Sequence, residues 1–427
     1  MKQHFDAIVI GGGLAGLTAA IFLGRAGKSV ILFEKSTRTG GRSITDNENG
    51  FRMNLGPHAL YQGGEGFKIL KELGIHFTGK RPSGKRSYVL YKGKLSKLPY
   101  EPFSLTTSHL FKSWRSKLEI ILFFKNVARI QTETLQNQNL NDWLDQTFNH
   151  HEVRDFVTML LRVATYTNDS EHLSAGAALA QLQMVLSKSV LYLDHGWQTL
   201  VDGLRTAAEQ AGVQIMTGKV VQGVDLKTAV RRIDLADGSY LADNIILAIG
   251  PNEASRLLGV QLQPQVPVKM AALTVGLKSL PSSALLAAFG MDSPFYLSVH
   301  SAWAKLTTEE GTALIHAGKY LLPGKKTDAK SDQLELEQFL DQCQRGWRKE
   351  VVAYSYLPQM TVSNALVTAS ANGFAGRPNV EVEGEPGVYL CGDWVGNRGM
   401  LCDASFASAK KAAHLILNQK NKSRQVA

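Results

Sequence analysis

The sequence predicts an α/β fold with an α+β second domain. Three observations carry that prediction. A short apolar run, "FDAIVI" (5–10), leads into a glycine-rich turn and an apolar-faced stretch, and then into a second apolar run, "SVILFE" (29–34). That order is a βαβ unit. Runs of the same buried-strand type return in the middle of the chain, "DNIILAIGP" (243–251), and near its end, "GVYLCGD" (387–393). Between them lie segments of different character, helical over 108–187 and alternating over 266–357. The first domain is therefore expected to be Rossmann-like and discontinuous. It takes residues 1–79, 190–265 and 368–427, while a mixed sheet with helices takes 80–189 and 266–367.

The elements follow in order. "GGGLAGLTAAIFLGRAG" turns tightly and becomes a helix, with Leu17, Ala20, Ile21 and Leu23 apolar on one side. A helix is expected around Gly66–Leu73, and short strands with a Lys-Gly turn over 85–98. Helices are expected over 108–130, 140–148, 151–166, 174–187 and 196–212. Strands return over 213–226 and around a turn at Asp237-Gly238. The alternating segments 266–278, 295–300, 312–317 and 351–357 read as strands, and 331–347 as a helix. The last piece, 387–417, reads as strand, loop and helix. Asp403 is a good N-cap residue for that final helix.

Length and composition set bounds. The chain has 427 residues and is 44% hydrophobic, enough for a large core and two domains. The three cysteines, Cys343, Cys391 and Cys402, form no CxxC pair and no even framework, so a reduced cytoplasmic protein is expected. The apolar stretch Ala7–Gly24 follows Lys2 and invites a signal-peptide reading. Three consecutive glycines interrupt it, no cleavage site follows, and it continues into a strand. No run approaches the ~20 apolar residues that span a bilayer. No metal site is expected.

Formal net charge is +10. The window Lys80–Arg129 holds twelve Lys/Arg against Glu101 and Glu119, an excess equal to that of the whole chain. The charges alternate with aromatic and aliphatic residues. Nucleic acid and a membrane surface are the partners open to such a patch. The interleaved Trp, Phe and Leu suit the headgroup boundary, so the expectation is a membrane-facing surface near 103–130, with the protein peripheral to the inner face. No nucleic acid is expected. The plain alternative is a solvated face over a core helix.

Gly11-x-Gly13-x-x-Gly16 opens a helix directly after a strand. Its glycines permit a tight turn and close approach to a pyrophosphate at the helix N-terminus. Glu34 ends the second strand about 20 residues on, placed for ribose hydroxyls, with Lys35 beside it. A 2′-phosphate there would be repelled. "GGRS" (40–43) adds an irregular loop and a guanidinium fork, Arg42, near the diphosphate. No second GxGxxG follows, so oxygen, a quinone or another acceptor would reoxidise the cofactor.

"VIGGGLAGLTAAIFLGRAGKSVILFEKSTRTGGRS" resembles the N-terminal fingerprint of the FAD-dependent amine oxidase and phytoene desaturase superfamily, which includes protoporphyrinogen oxidase. "GFRMNLGPHALY" (50–61), "GWQTLVDGLRTAAEQAGVQIMTGKVVQGV" (196–224) and "GVYLCGDWVGNRGMLCDASFASAKKAA" (387–413) are similar in the same order. "LGPH" and "LPQMTVSNAL" (357–366) place it nearest the phytoene-desaturase-like side. The resemblance implies that Gly11, Gly13, Ala15 and Gly16 hold the pyrophosphate, Glu34 the ribose, and Gly41-Arg42 the diphosphate loop. It places Gly56, Pro57 and His58 along the flavin ring and Val220 or Val221 at the adenine. Gly392-Asp393 meet the diphosphate and ribityl part, and Met400-Leu401 the pyrimidine edge. Asn54 departs from an acid common among relatives. Covalently flavinylated amine oxidases carry their attachment cysteine in a stretch, 344–390, where this chain has none, so FAD is expected to be non-covalent.

Catalytic residues are less determined, because flavin carries most of the chemistry. The pocket candidates are His58, Tyr61, Tyr296, Trp394 and Lys269, each with an ordinary structural alternative. Cys391, in an apolar strand, is expected to be buried and unreactive. The function expected is oxidation or desaturation of a hydrophobic small molecule, polyprenoid or carotenoid-like, by hydride transfer to FAD. The alternatives are an amine or protoporphyrinogen-type oxidase, a redox-neutral flavin-dependent isomerase, and a non-catalytic prenyl carrier.

Overall fold

The computed structural model describes residues 4–425. Its first sheet is built on the predicted βαβ unit: β1 (His4–Ile10), the helix α1 (Leu14–Arg25) and β2 (Val30–Phe33). All four β2 residues are buried, as in a parallel strand covered on both faces. The sheet runs Gln214–Met216, β2, β1, Gly238–Leu247, Arg231–Leu235 and Val221–Asp225. Gly238–Leu247 forks. Its first half pairs antiparallel with Arg231–Leu235, and its last three residues pair parallel with Val388–Leu390. Strands from the beginning, middle and end of the chain thus lie side by side. α1 packs between this sheet and the C-terminal helix, Leu401–Gln425, in one continuous apolar core.

The second sheet also has seven strands, in the order Val351–Ser363, Val268–Leu277, Ala313–Tyr320, Phe295–Val299, Ala287–Gly290, Ser87–Tyr91 and Lys94–Lys97. It is antiparallel except where Ala287–Gly290 lies parallel to Ser87–Tyr91. The helix Ala329–Cys343 packs on it through Leu336, Phe339 and Leu340. The helices between residues 102 and 188 form a separate core around Phe111, Ile120, Phe156 and Leu179. A small sheet joins Leu60–Tyr61 and Gly79–Lys80 through Val190–Leu193.

Several expected elements differ. The helix expected over 108–130 is shorter, Trp114–Asn126 followed by a 3-10 turn over Val127–Arg129, and a separate helix, Pro102–Thr107, precedes the expected range. The break falls where Ser113 accepts a hydrogen bond from Ser116 N (3.0 Å) and starts a new helix. Ala287–Gly290 and the helix Pro251–Leu258 were not anticipated. Asp403 is not the N-cap of the last helix, which begins two residues earlier at Leu401. Its carboxylate instead accepts from Gly66 N (2.7 Å), at the start of the helix Glu65–Glu72. A Cβ at Gly64 would lie 2.1 Å from that carboxylate, so glycine is required there.

Candidate functional site

One cavity of about 830 Å³ opens along the carboxyl ends of the first sheet's parallel strands and continues to the strand Val351–Ser363 of the second sheet. In open α/β sheets this is where ligands bind. One end is a nucleotide cradle. A Cβ built at Gly13 meets nothing within 4 Å, so this residue faces open space at the start of α1. Gly16 plays a different part. A Cβ there would lie 1.9 Å from the Gly11 carbonyl oxygen, so it sets the close packing of helix on strand and does not line the cavity. Gly11 and Ala15 do line it. α1 has no side-chain cap and no acid in its first turn, leaving its positive end for an anion.

Glu34 is buried at the end of β2. Its Oε2 accepts from Gly12 N (2.6 Å) and its Oε1 from Ser36 N (2.8 Å). The backbone thereby fixes the carboxylate at the cavity edge, and further lone pairs stay available to hydroxyl donors. Lys35 is exposed at the rim, and Val221 and Val220 form the facing wall, the first buried and the second exposed.

The loop carrying Gly41 and Arg42 meets the loop after Val388–Leu390. Arg42 Nη1 donates to Asp393 Oδ2 (2.7 Å) and to the Val362 carbonyl (3.1 Å). Asn364 donates to the same carboxylate from its backbone N and from Nδ2, both at 2.9 Å. Burial alone would raise the Asp393 carboxyl. The Arg42 charge and hydrogen bond, with the Asn364 donors, hold it below the ordinary carboxylate value. Asp393 is thus a clamp between two cavity walls, and Gly392 N donates to Ser408 Oγ (3.0 Å) on the C-terminal helix.

The other end is apolar and aromatic. Pro57, His58 and Tyr61 reach it from one side, Leu357 and Met360 from the second sheet, and Leu401 from the last helix. His58 Nδ1 lies 3.1 Å from the Gly56 carbonyl, and its ring centroid is 4.9 Å from that of Trp197. Burial lowers its pKa more than the Gly56 and Arg42 backbone groups raise it, so the ring is neutral at pH 7. Tyr61 donates to the Ala164 carbonyl (3.0 Å), and burial pushes its phenol far up. Gly56 and Met400 stand behind the wall. Gly56 packs on Met360, and Met400 packs with Ala177 and Val367.

Two candidates lie off the cavity. Lys269 points along the second sheet to Gln359 Oε1 (3.2 Å), a strand-edge lysine. Tyr296 is buried, with its hydroxyl on Tyr192 (3.0 Å) and His300 (3.2 Å). Trp394 touches the cavity but is fully buried, donating to the Ile249 carbonyl (2.9 Å), so it is a structural wall. Burial pushes the Cys391 thiol far up, leaving it inert.

Sequence reasoning missed Trp197, Tyr166, Asn364 and Cys402, all on the cavity. Tyr166 ends the helix His151–Thr165 at φ +59, and no residue pattern marks that conformation. Asn364 lies inside "LPQMTVSNAL", yet an asparagine there names no chemistry. Asn54 Oδ1 accepts from Thr45 Oγ1 (2.7 Å) and Trp197 N (3.0 Å), so a neutral amide oxygen fixes the backbone of Trp197, whose ring lies against His58.

A helix N-terminus open to an anion, a backbone-fixed acid at the second strand's end and an extended cavity running on to an aromatic chamber define a dinucleotide-binding oxidoreductase. The open space at Gly13 fits a diphosphate, and the cavity lining runs from Val221 past Gly13 and Arg42 to Leu401. The family described as flavin containing amine oxidoreductase matches residues 14–320. The chain belongs to that family of FAD-dependent oxidoreductases. Among curated proteins it is 27% identical over 283 residues to the 4,4'-diaponeurosporene oxygenase of Staphylococcus aureus, covering 58% of this chain and 55% of that protein. It is 27% identical over 210 residues to the inactive all-trans-retinol 13,14-reductase of Danio rerio, covering 44% of this chain and 33% of that protein. The chain thus spans about half or less of the length of these relatives. An oxidoreductase from Methanosarcina mazei has the same fold, with TM-score 0.77, 18% identity, and coverage of 96% of this chain and 99% of that chain.

Proposed function

We propose that this protein oxidises or desaturates a hydrophobic small molecule, with a polyprenoid of carotenoid type as the first candidate. The observation that carries the reading is the state of the cavity's carboxylates. Among the described residues only Glu34, Glu253 and Asp393 line it as acids. Glu34 is held by backbone N–H groups, Glu253 pairs with Arg256 and Asp393 with Arg42. Glu34 and Glu253 stand at the nucleotide end, beside Lys35 and Val221, and Asp393 is neutralised by Arg42, so among the described residues no free carboxylate faces the chamber beyond, which is walled by Leu357, Met360, Tyr166 and Leu401. This favours an uncharged apolar substrate over an amine. The two curated relatives named for a diaponeurosporene and a retinol support the same class.

Bound FAD supplies the hydride acceptor. This chain's residues bind and orient. Gly13 and the α1 N-terminus hold the diphosphate, Glu34 the ribose, and the Arg42–Asp393 clamp fixes the loops between them. Tyr61, Tyr166 and Trp197 exclude water from the reacting carbon. His58, neutral at pH 7 and held through Nδ1 by the Gly56 carbonyl, packs beside Trp197 and shapes the chamber wall. This reading has FAD bound without a covalent bond: Cys402 is the only cysteine among the described lining residues, and burial, with Asp403 adjacent, pushes its thiol well up.

Anaerobic mixing tests this reading. An acyclic polyprenoid should bleach the oxidised flavin in proportion to the amount added, and a primary amine should not. Bleaching by the amine alone would overturn it.

A further inference from the structure

The segment that holds the charge excess also carries the most exposed large apolar side chains among the described residues. Phe103 is 77% exposed and Trp114 is 70% exposed. Trp114, Leu118 and Leu122 recur every four residues along the helix Trp114–Asn126, so they share one face. Leu118 and Leu122 are both exposed, while Ser116, Ile120 and Phe123 on the other face are buried. Lys117 Nζ donates to the Thr106 carbonyl (2.6 Å), tying the short helix that carries Phe103 alongside. A Cβ at Gly84 would lie 2.6 Å from the Tyr100 ring, so the basic loop with Lys85 and Arg86 packs against the same region.

Charge selects the occupant. Lys112, Arg115, Lys125 and Arg129 are exposed around the apolar stripe. Of the two acids in the window, Glu119 is turned inward and accepts from Asn149 N (2.8 Å) and His150 N (3.2 Å). Only Glu101 is left exposed among these basic groups. We propose that this face docks on a bilayer bearing anionic headgroups. Phe103, Trp114, Leu118 and Leu122 enter the headgroup–acyl boundary, and the basic residues meet the lipid anions. No helix of the described residues is long and apolar enough to cross a membrane, so the contact is at the surface. A face buried by a second protein copy would gather its basic residues against one another, whereas a lipid surface neutralises them. This inference is independent of the redox reading.

The test is co-sedimentation of the flavin-loaded protein with phosphatidylcholine vesicles, with and without phosphatidylglycerol, and with no substrate present. The wild type should bind the mixed vesicles and release as salt is raised. Lys112→Gln/Arg115→Gln/Lys125→Gln should weaken binding about a hundredfold at low salt, about fivefold for each charge removed. Phe103→Ser/Trp114→Ser should weaken it at low and high salt alike. All five side chains are exposed, and unchanged flavin content and Tm check that the variants fold. Absence of wild-type binding to mixed vesicles, equal binding to neutral ones, or variants that bind like wild type would overturn the proposal. So would light scattering that shows a dimer dispersed by Phe103→Ser/Trp114→Ser with no vesicle binding.

Discussion

Gly13 and Gly16 differ by three positions and by their whole environment. Gly13→Val has room for its side chain and a φ of −79° that an L residue adopts, so the flavin-free protein should fold with the Tm of flavin-free wild type. The new side chain would occupy the diphosphate's place, and FAD should bind more than about tenfold more weakly, a loss of more than ~1.4 kcal/mol. Gly16→Ala meets backbone at 1.9 Å and should instead lower stability by about 1–3 kcal/mol, as overpacking does. Absorbance per chain and thermal melts separate the two outcomes; equal flavin loss with equal melting would contradict the assignment. Asp393→Ala removes the acceptor of Arg42 and Asn364. Hydrogen bonds to charged groups are worth about 1.5–3 kcal/mol, so FAD should bind about tenfold more weakly or worse. Cys391→Ala, in a buried strand with an inert thiol, should leave flavin content unchanged. The reverse order in flavin titration would make Cys391 a functional group.

The helix Glu65–Glu72 and the C-terminal helix are joined by Asp403. Its Oδ1 satisfies Gly66 N, which the helix cannot satisfy internally. Asp403→Ala should cost about 0.5–2 kcal/mol, as loss of a cap does, measured by denaturant unfolding. Burial raises this carboxyl to about 7, against the lowering effect of Gly66 N. The folded chain therefore keeps a proton that the unfolded chain releases above about pH 4. This group's contribution is full below that pH and declines as pH rises towards 7. Asp403→Asn cannot ionise, so its stability relative to wild type should increase from pH 4 to 7; a constant difference would show that Asp403 ionises normally.

At the scale of the molecule, buried histidines set the acid limit. His316 is fully buried with its Nδ1 on Thr274 Oγ1 (2.9 Å). Burial, with repulsion from His58, lowers it to about 3. His300, ring centroid 4.5 Å away, is lowered well below its ordinary value by burial and by both other histidines. Between pH 6.5 and 3 the unfolded chain binds protons that the folded chain does not, so stability falls as pH falls. His316→Gln should flatten the slope by about 1.4 kcal/mol per pH unit between pH 6 and 4. Identical slopes in urea unfolding would mean that His316 is not held neutral.

The parts of the fold that could be read ahead were those in which local pattern and tertiary role coincide. Phe5–Gly16 is contiguous and Glu34 closes the same βαβ unit, and the apolar runs and glycines dictate that geometry by themselves. Cys391 was readable as buried because its neighbours Tyr389 and Leu390 are. What escaped was assembled across distance. Trp197 owes its place to Asn54, 143 residues away, and Arg42 meets Asp393 across 351 residues. Asp403 looked like a cap and is one, but for a helix more than 300 residues upstream. Lys269 had the right residue type for a pocket, but its amine is held by Gln359 and it stays off the cavity lining, because register in the second sheet is set by pairing partners that no local pattern names.

The claim on which the rest depends is that one cavity holds one FAD without a covalent bond. The direct measurement is the flavin released when purified protein is denatured and the precipitate removed. One FAD per chain in the supernatant is the predicted result. Flavin retained in the precipitate, or colourless protein that takes up no added FAD, would contradict it.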